Sequence, residues 1–133
     1  MGQASDVLVV DDDVHIREFV QLVLSGEGYE VVGVPHGAAA LTLLEQREQG
    51  RQRLPAVILL DMQMPVMNGW EFASAYHQRP GPHVPLVVMT PALDATSRAA
   101  LIGAADVLGK PFGLRALLDC VGRHVENALR GAE

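Results

Sequence analysis

The chain has 133 residues, the length of one ordinary domain and too short for two. Ten Lys and Arg stand against sixteen Asp and Glu, a formal net charge of −6, which argues against a general nucleic-acid binder that needs a basic face. Apolar residues make up 49% and aromatics 5%, an aliphatic core large enough to fold alone, and a single cysteine (Cys120) excludes an internal disulfide framework or a Cys-x-x-Cys metal site and fits a reducing cytoplasm.

Val7–Val10 is a continuous β-branched run and predicts a first strand, ended by Asp11-Asp12-Asp13. After Asp13, residues Ile16, Phe19, Val20 and Val23 recur at helical spacing, and Gly26 and Gly28 stop that helix. Val31-Val32 predicts a second strand, followed past Gly37 by a helix carrying Ala39, Ala40, Leu43 and Leu44. The polar stretch Gln46–Pro55 reads as a frayed helix end and a loop. Ala56–Leu60 predicts a third strand ending in Asp61, and Asn68-Gly69 then opens a helix with Trp70, Ala73 and Tyr76-His77. The proline-rich Arg79–Pro85 is a stiff connection to a fourth strand, Leu86–Met89, which ends in Thr90. Ala99–Leu101 mark a fourth helix before Gly103, and Val107-Leu108 a fifth strand ending in Lys110. Leu114, Leu117, Leu118, Val121 and Val125 form the clearest helical stripe, running to near Leu129.

Continuous rather than alternating apolar strands are those buried on both faces of a parallel sheet. Strand and helix alternating five times predict an α/β, doubly wound (βα)5 chain with right-handed crossovers and helices on both faces. We expect one domain over residues 1–133, with a core of about 6–125. The two longest stretches free of charged residues, Val31–Leu44 and Pro80–Leu93, are 14 residues each. Both fall short of the ~20 apolar residues of a membrane span. The amino terminus shows no basic segment followed by an apolar one, so no secretory signal is expected.

Ligands of such a sheet bind beyond the carboxyl ends of its strands. There the sequence places Asp11, Asp12, Asp61, Thr90 and Lys110. Taken singly, each has a plain explanation. Asp13 caps the helix that follows, Asp11 and Asp12 are loop acids, Asp61 ends a strand, Thr90 fills a turn and Lys110 is solvated. Taken together they are a chemical set. Carboxylates at one edge repel one another, and a hard divalent cation such as Mg²⁺ relieves that repulsion. A carboxylate can attack phosphorus to give an aspartyl phosphate, while a lysine ammonium and a threonine hydroxyl stabilise the transferring oxygens. The histidines His15, His36, His77, His83 and His124 show no metal-ligand spacing and are assigned to surface or partly packed positions.

Four stretches carry a resemblance: Val7–Asp12 (VLVVDD), Asp61–Gly69 (DMQMPVMNG), Val88-Met89-Thr90 and Gly103–Phe112 (GAADVLGKPF). In this order they resemble the receiver domain of two-component response regulators, the CheY-like family, over essentially Asp6 to Val125. The resemblance implies a flavodoxin-like five-stranded sheet in the order 2-1-3-4-5. It implies that Asp61 is the phospho-acceptor and that Mg²⁺ sits beside it, bound by Asp12, through water by Asp11, and by the main-chain carbonyl of Gln63. Lys110 would contact the phosphoryl group, with a cis bond to Pro111. Thr90 would shift toward that group and carry the signal to the face made by the fourth helix, fifth strand and fifth helix, where an unknown output partner binds. The donor would be the phosphohistidine of a sensor histidine kinase or phosphotransfer protein in the cytoplasm. No direct nucleic-acid contact, no membrane insertion and no turnover of external substrates are implied.

Two positions depart from the family's pattern. Pro91 follows Thr90 and has no N–H to offer a phosphoryl oxygen. Val107 stands where the family often has an aromatic ring that swings inward. They keep open an alternative, a degenerate receiver that acts as a phosphorylation-independent interaction module. A phosphatase of the haloacid-dehalogenase type fits less well, because its second aspartate, two residues after the nucleophile, is here Gln63. The chain ends soon after the last helical stripe, which leaves a single-domain regulator and a piece of a longer protein both open.

Overall fold

Each of the five apolar runs forms a strand in the computed structural model, which describes residues 6–50, 52–62, 64, 66–80, 83–91 and 103–131. The order is β1 (Asp6–Val10), α1 (Val14–Gly26), β2 (Glu30–Val34), α2 (Gly37–Gln49), β3 (Val57–Asp61), α3 (Gly69–Gln78), β4 (Leu86–Pro91), β5 (Asp106–Lys110) and a C-terminal helix (Leu114–Gly131). The helix expected around Ala99–Leu101 lies outside the described residues.

All pairings are parallel and the sheet order is β2-β1-β3-β4-β5, as the resemblance implied. Successive side chains of a strand point to opposite faces, and the core divides accordingly. Leu8, Val10, Ile58, Leu60, Leu86 and Val88 face α2 and α3, meeting Ala40, Leu44, Phe72, Ala73 and Tyr76. Val7, Val9, Val57, Leu59, Val87 and Met89 face α1 and the C-terminal helix, meeting Val20, Leu24, Leu117, Val121 and Val125. Every residue of β3 is buried, which explains its unbroken apolar run.

The helix ends follow local chemistry. Asp13 is the N-cap of α1, its side chain accepting from the His15 N–H at 2.9 Å, as expected from its position. At the other end Gly28 takes φ +94°, and the Gly28 and Tyr29 amides close onto the carbonyls of Ser25 and Leu24. This is the left-handed closure that glycine favours. His36 caps α2 with its ring Nδ1, which accepts from the Ala39 N–H at 3.1 Å. Asn68 and Glu71 cap α3 reciprocally. Among the described residues, no helix is long and apolar enough to cross a membrane.

Tyr76 ties the connection after α3 into the core. Its hydroxyl accepts from the Val84 N–H at 2.6 Å, and its ring stacks on Phe72 at 5.7 Å. Burial holds the phenol above its ordinary value of 10.0, outweighing the Val84 hydrogen bond that lowers it. A group raised on folding stabilises the fold below its unfolded value, and that contribution is lost as pH rises through the folded one. Tyr76→Phe is expected to cost about 1–3 kcal/mol at neutral pH, because a buried N–H loses its acceptor. The same change should flatten the decline in stability above pH 10. Urea midpoints at neutral and alkaline pH check both; an unchanged alkaline slope would assign the decline to other groups.

Candidate functional site

The chain leaves β1 toward β2 on one side and β3 toward β4 on the other, so the connections diverge above the β1/β3 pair. That divergence opens a crevice at the carboxyl edge of the sheet. Val10 and Leu60 are register partners, so the residues that follow them, Asp11 and Asp61, stand side by side at that crevice.

Asp11 is fully buried and fixed at three points. Its N–H donates to the Val34 carbonyl at 3.1 Å, its carbonyl accepts from Arg17 Nη1 at 2.7 Å, and its Oδ1 accepts from the Asp13 N–H at 2.9 Å. Asp61 is also buried, and Asp12 is exposed. One carboxylate oxygen from each of Asp11, Asp12 and Asp61 lies within 4.8 Å of the others.

Lys110, at the end of β5, supplies the counter-charge. Its Nζ donates to Asp11 Oδ2 at 3.0 Å and to Asp61 Oδ1 at 3.2 Å. Two strand spacings, about 9.6 Å, separate β5 from β3, and the lysine side chain and the aspartate that meets it together bridge that gap across β4. Burial favours the neutral amine, but the hydrogen bond and charge of Asp11, reinforced by Asp61, outweigh it and hold the ammonium above its ordinary value. The Lys110–Pro111 peptide bond is cis. Thr90 is buried on the intervening strand, beside Gly109 in register. Gln63 lies outside the described residues, so the ligand expected from its carbonyl rests on the sequence alone.

The loop after Asp61 is shaped by two residues. A Cβ on Gly69 would stand 2.6 Å from Met62 Sδ, 2.7 Å from Met62 Cα and 2.8 Å from the Asp61 carbonyl oxygen. Only glycine lets α3 begin this close to the backbone of Asp61. Val66, 77% exposed, sits at φ +68°, a region costly for a β-branched side chain. Relief of that strain exceeds the added chain entropy of glycine. Val66→Gly is therefore expected to stabilise the fold by about 1 kcal/mol, read as a higher urea midpoint at unchanged slope. A lower midpoint would show that the valine side chain contributes packing that outweighs its strain.

Pro91 ends β4 opposite Lys110. The β3 pairing stops at Met89, so this proline borders only one strand and its missing N–H is tolerated there. Val107 is half-buried against the α2–α3 side of the core. Trp70, in the first turn of α3, packs half-buried against the same side.

A second polar cluster lies at the opposite end of β5. Asp106 Oδ2 meets Arg123 Nη2 at 2.6 Å, His124 Nε2 at 3.1 Å and Cys120 Sγ at 3.8 Å, and Oδ1 accepts from the Val107 N–H at 2.8 Å. Burial raises the Asp106 carboxyl, but the hydrogen bonds from Arg123, Val107 and His124 together hold it below its ordinary value. Cys120 and His124 stand four apart on one helix and converge with Asp106. That interval was visible in the sequence, whereas the approach of Asp106 depends on the packing of β5.

Residues 7–122 match the family described as the response regulator receiver domain. The chain is 38% identical over 132 residues to the response regulator protein FleR of Pseudomonas aeruginosa, covering 98% of this chain and 26% of that protein. It is 34% identical over 108 residues to the DNA-binding response regulator MtrA of Mycobacterium tuberculosis, covering 80% of this chain and 44% of that protein. The chain thus spans less than half the length of these relatives. Among solved structures, the chemotaxis response regulator CheY4 of Vibrio cholerae superposes with a TM-score of 0.74 at 31% identity, over 92% of this chain and 99% of that one. The receiver domain of NtrX from Brucella abortus gives 0.77 at 29% identity, over 91% and 98%.

Proposed function

The chain belongs to the response regulator receiver domain family, and from that premise we propose that Asp61 accepts a phosphoryl group from the phosphohistidine of a partner kinase or phosphotransfer protein. The observation that carries this reading is the convergence of Asp11, Asp12 and Asp61 with one ammonium donating to two of them.

A carboxylate oxygen of Asp61 attacks phosphorus. The P–O bond forms as the P–N bond breaks, and the donor ring departs as neutral imidazole once its other nitrogen is protonated. The ammonium of Lys110, already beside Asp61, turns to the phosphoryl oxygens, and the Thr90 hydroxyl donates a hydrogen bond to them. The donor set fits Mg²⁺, being all oxygen, clustered and fixed by Asp11's own hydrogen bonds. Asp11, Asp12 and Asp61, with the Gln63 carbonyl, would hold that ion, and it would neutralise phosphoryl charge. A cavity of about 390 Å³ is lined by Ile16, Phe19, Lys110, Pro111 and Phe112. This apolar ground suits a helix of the donor protein that brings its histidine to Asp61. The resulting switch would be read by an output partner on the face of β5 and the helices beside it.

Pro91 favours one competing reading, an interaction module that works without phosphorylation. Incubating the chain with acetyl phosphate and Mg²⁺ and weighing the intact protein separates the two. A gain of one phosphoryl mass that disappears on chelation supports transfer; no gain with any donor leaves the interaction module.

A further inference from the structure

We propose that Asp106, Cys120 and His124 form a zinc site, remote from Asp61, that fastens the start of β5 to the C-terminal helix. Four residues of extended backbone, about 13 Å, separate Asp106 from Lys110, so this site shares no ligand with the acidic crevice. It does not depend on the reading of Asp61.

The donor set is one thiol, one imidazole and one carboxylate, the ligand types of zinc rather than of Mg²⁺ or Ca²⁺. The geometry also fits. Tetrahedral zinc with its usual bond lengths spaces oxygen and nitrogen by about 3.4 Å and oxygen and sulfur by about 3.6 Å. The corresponding separations here are 3.1 Å from Asp106 Oδ2 to His124 Nε2 and 3.8 Å to Cys120 Sγ. All three donor atoms lie within 4.8 Å of one another. The carboxylate is oriented before any metal arrives, because Oδ1 is held by the Val107 N–H and leaves Oδ2 facing the other two donors.

Arg123 is the present counter-charge of the carboxylate. Its guanidinium bonds the same Oδ2, and its side chain is 60% exposed, so it can swing into solvent as the metal enters. Binding exchanges protons. Burial and the nearby Asp106 push the Cys120 thiol up to about 12. Zinc therefore displaces the thiol proton: the S–H bond breaks, the sulfur–zinc bond forms and one proton passes to solvent. His124 would offer its Nε2 lone pair, with the ring proton carried on Nδ1. The fourth position is left to water.

Cobalt(II) is the probe, because thiolate ligation gives it a charge-transfer absorption in the near ultraviolet. Titrated into the metal-free chain, cobalt should produce that band at one equivalent, and zinc should bleach it. Calorimetry in buffers of different ionisation enthalpy should show net proton release on zinc binding. Cys120→Ser should abolish the band, and His124→Gln and Asp106→Asn should each weaken binding at least tenfold. Arg123→Ala should tighten it several-fold, an effect opposite to that of losing a structural ion pair. Asp12→Asn should leave it unchanged. Absence of the band in the folded wild-type chain overturns the proposal without recourse to any variant. A band that persists at unchanged affinity in both His124→Gln and Asp106→Asn overturns it as well, since the cysteine would then be binding cobalt alone.

Discussion

Asp61→Asn is expected to gain no phosphoryl mass from acetyl phosphate and Mg²⁺, a complete loss against wild type. The amide has no carboxylate oxygen to attack phosphorus, and neither neighbour replaces it. Asp11 has one oxygen committed to the Asp13 N–H and the other to Lys110, and Asp12 lies out in solvent. The variant keeps the shape of the side chain and removes one of three mutually repelling charges, so it should fold. Mass spectrometry on the intact chain reads the result, with circular dichroism to show the fold retained. Mass gain in the variant would place the acceptor elsewhere and remove the basis for the proposed transfer.

Lys110→Ala is expected to lower stability by about 3–5 kcal/mol in the absence of divalent cations, the usual cost of leaving a buried charge without its partner. Asp11 is 0% exposed and Asp61 5%, so neither carboxylate recovers full hydration when the ammonium is gone. The same change should enlarge the response to Mg²⁺, because a cation entering the crevice no longer meets a fixed positive charge. A ligand that binds only the folded state raises its stability in proportion to RT ln(1 + [L]/Kd). The increase in denaturation midpoint on adding Mg²⁺ should therefore be larger in the variant than in wild type. Equal midpoints for variant and wild type without metal would show that the crevice is hydrated well enough to need no ammonium.

The strands were legible because burial on both faces leaves a direct compositional trace, strongest in Val57–Leu60. The capping role of Asp13 was legible too, since a carboxylate before a helical stripe has a local task. The sheet order came through motif resemblance, because periodicity says nothing of which strands are neighbours. His36 as a cap was hidden: imidazole is an uncommon cap, and only the closeness of the Ala39 amide reveals it. Val66 was hidden for the opposite reason, since a β-branched residue is the last expected at positive φ. The Asp106 cluster joins residues fourteen and eighteen positions apart, across a strand-to-helix turn that no local pattern encodes.

The complete burial of β3 constrains how any event at its tip can spread. Flanked by a strand on each edge and covered by helices above and below, it sits in material packed as densely as a crystal. Shifting it would open voids on both faces at once. Amide exchange should accordingly be slowest along this strand. A chemical change at the tip must be accommodated by side-chain rotation and by loop rearrangement around it, with the central beam of the molecule as the stationary reference.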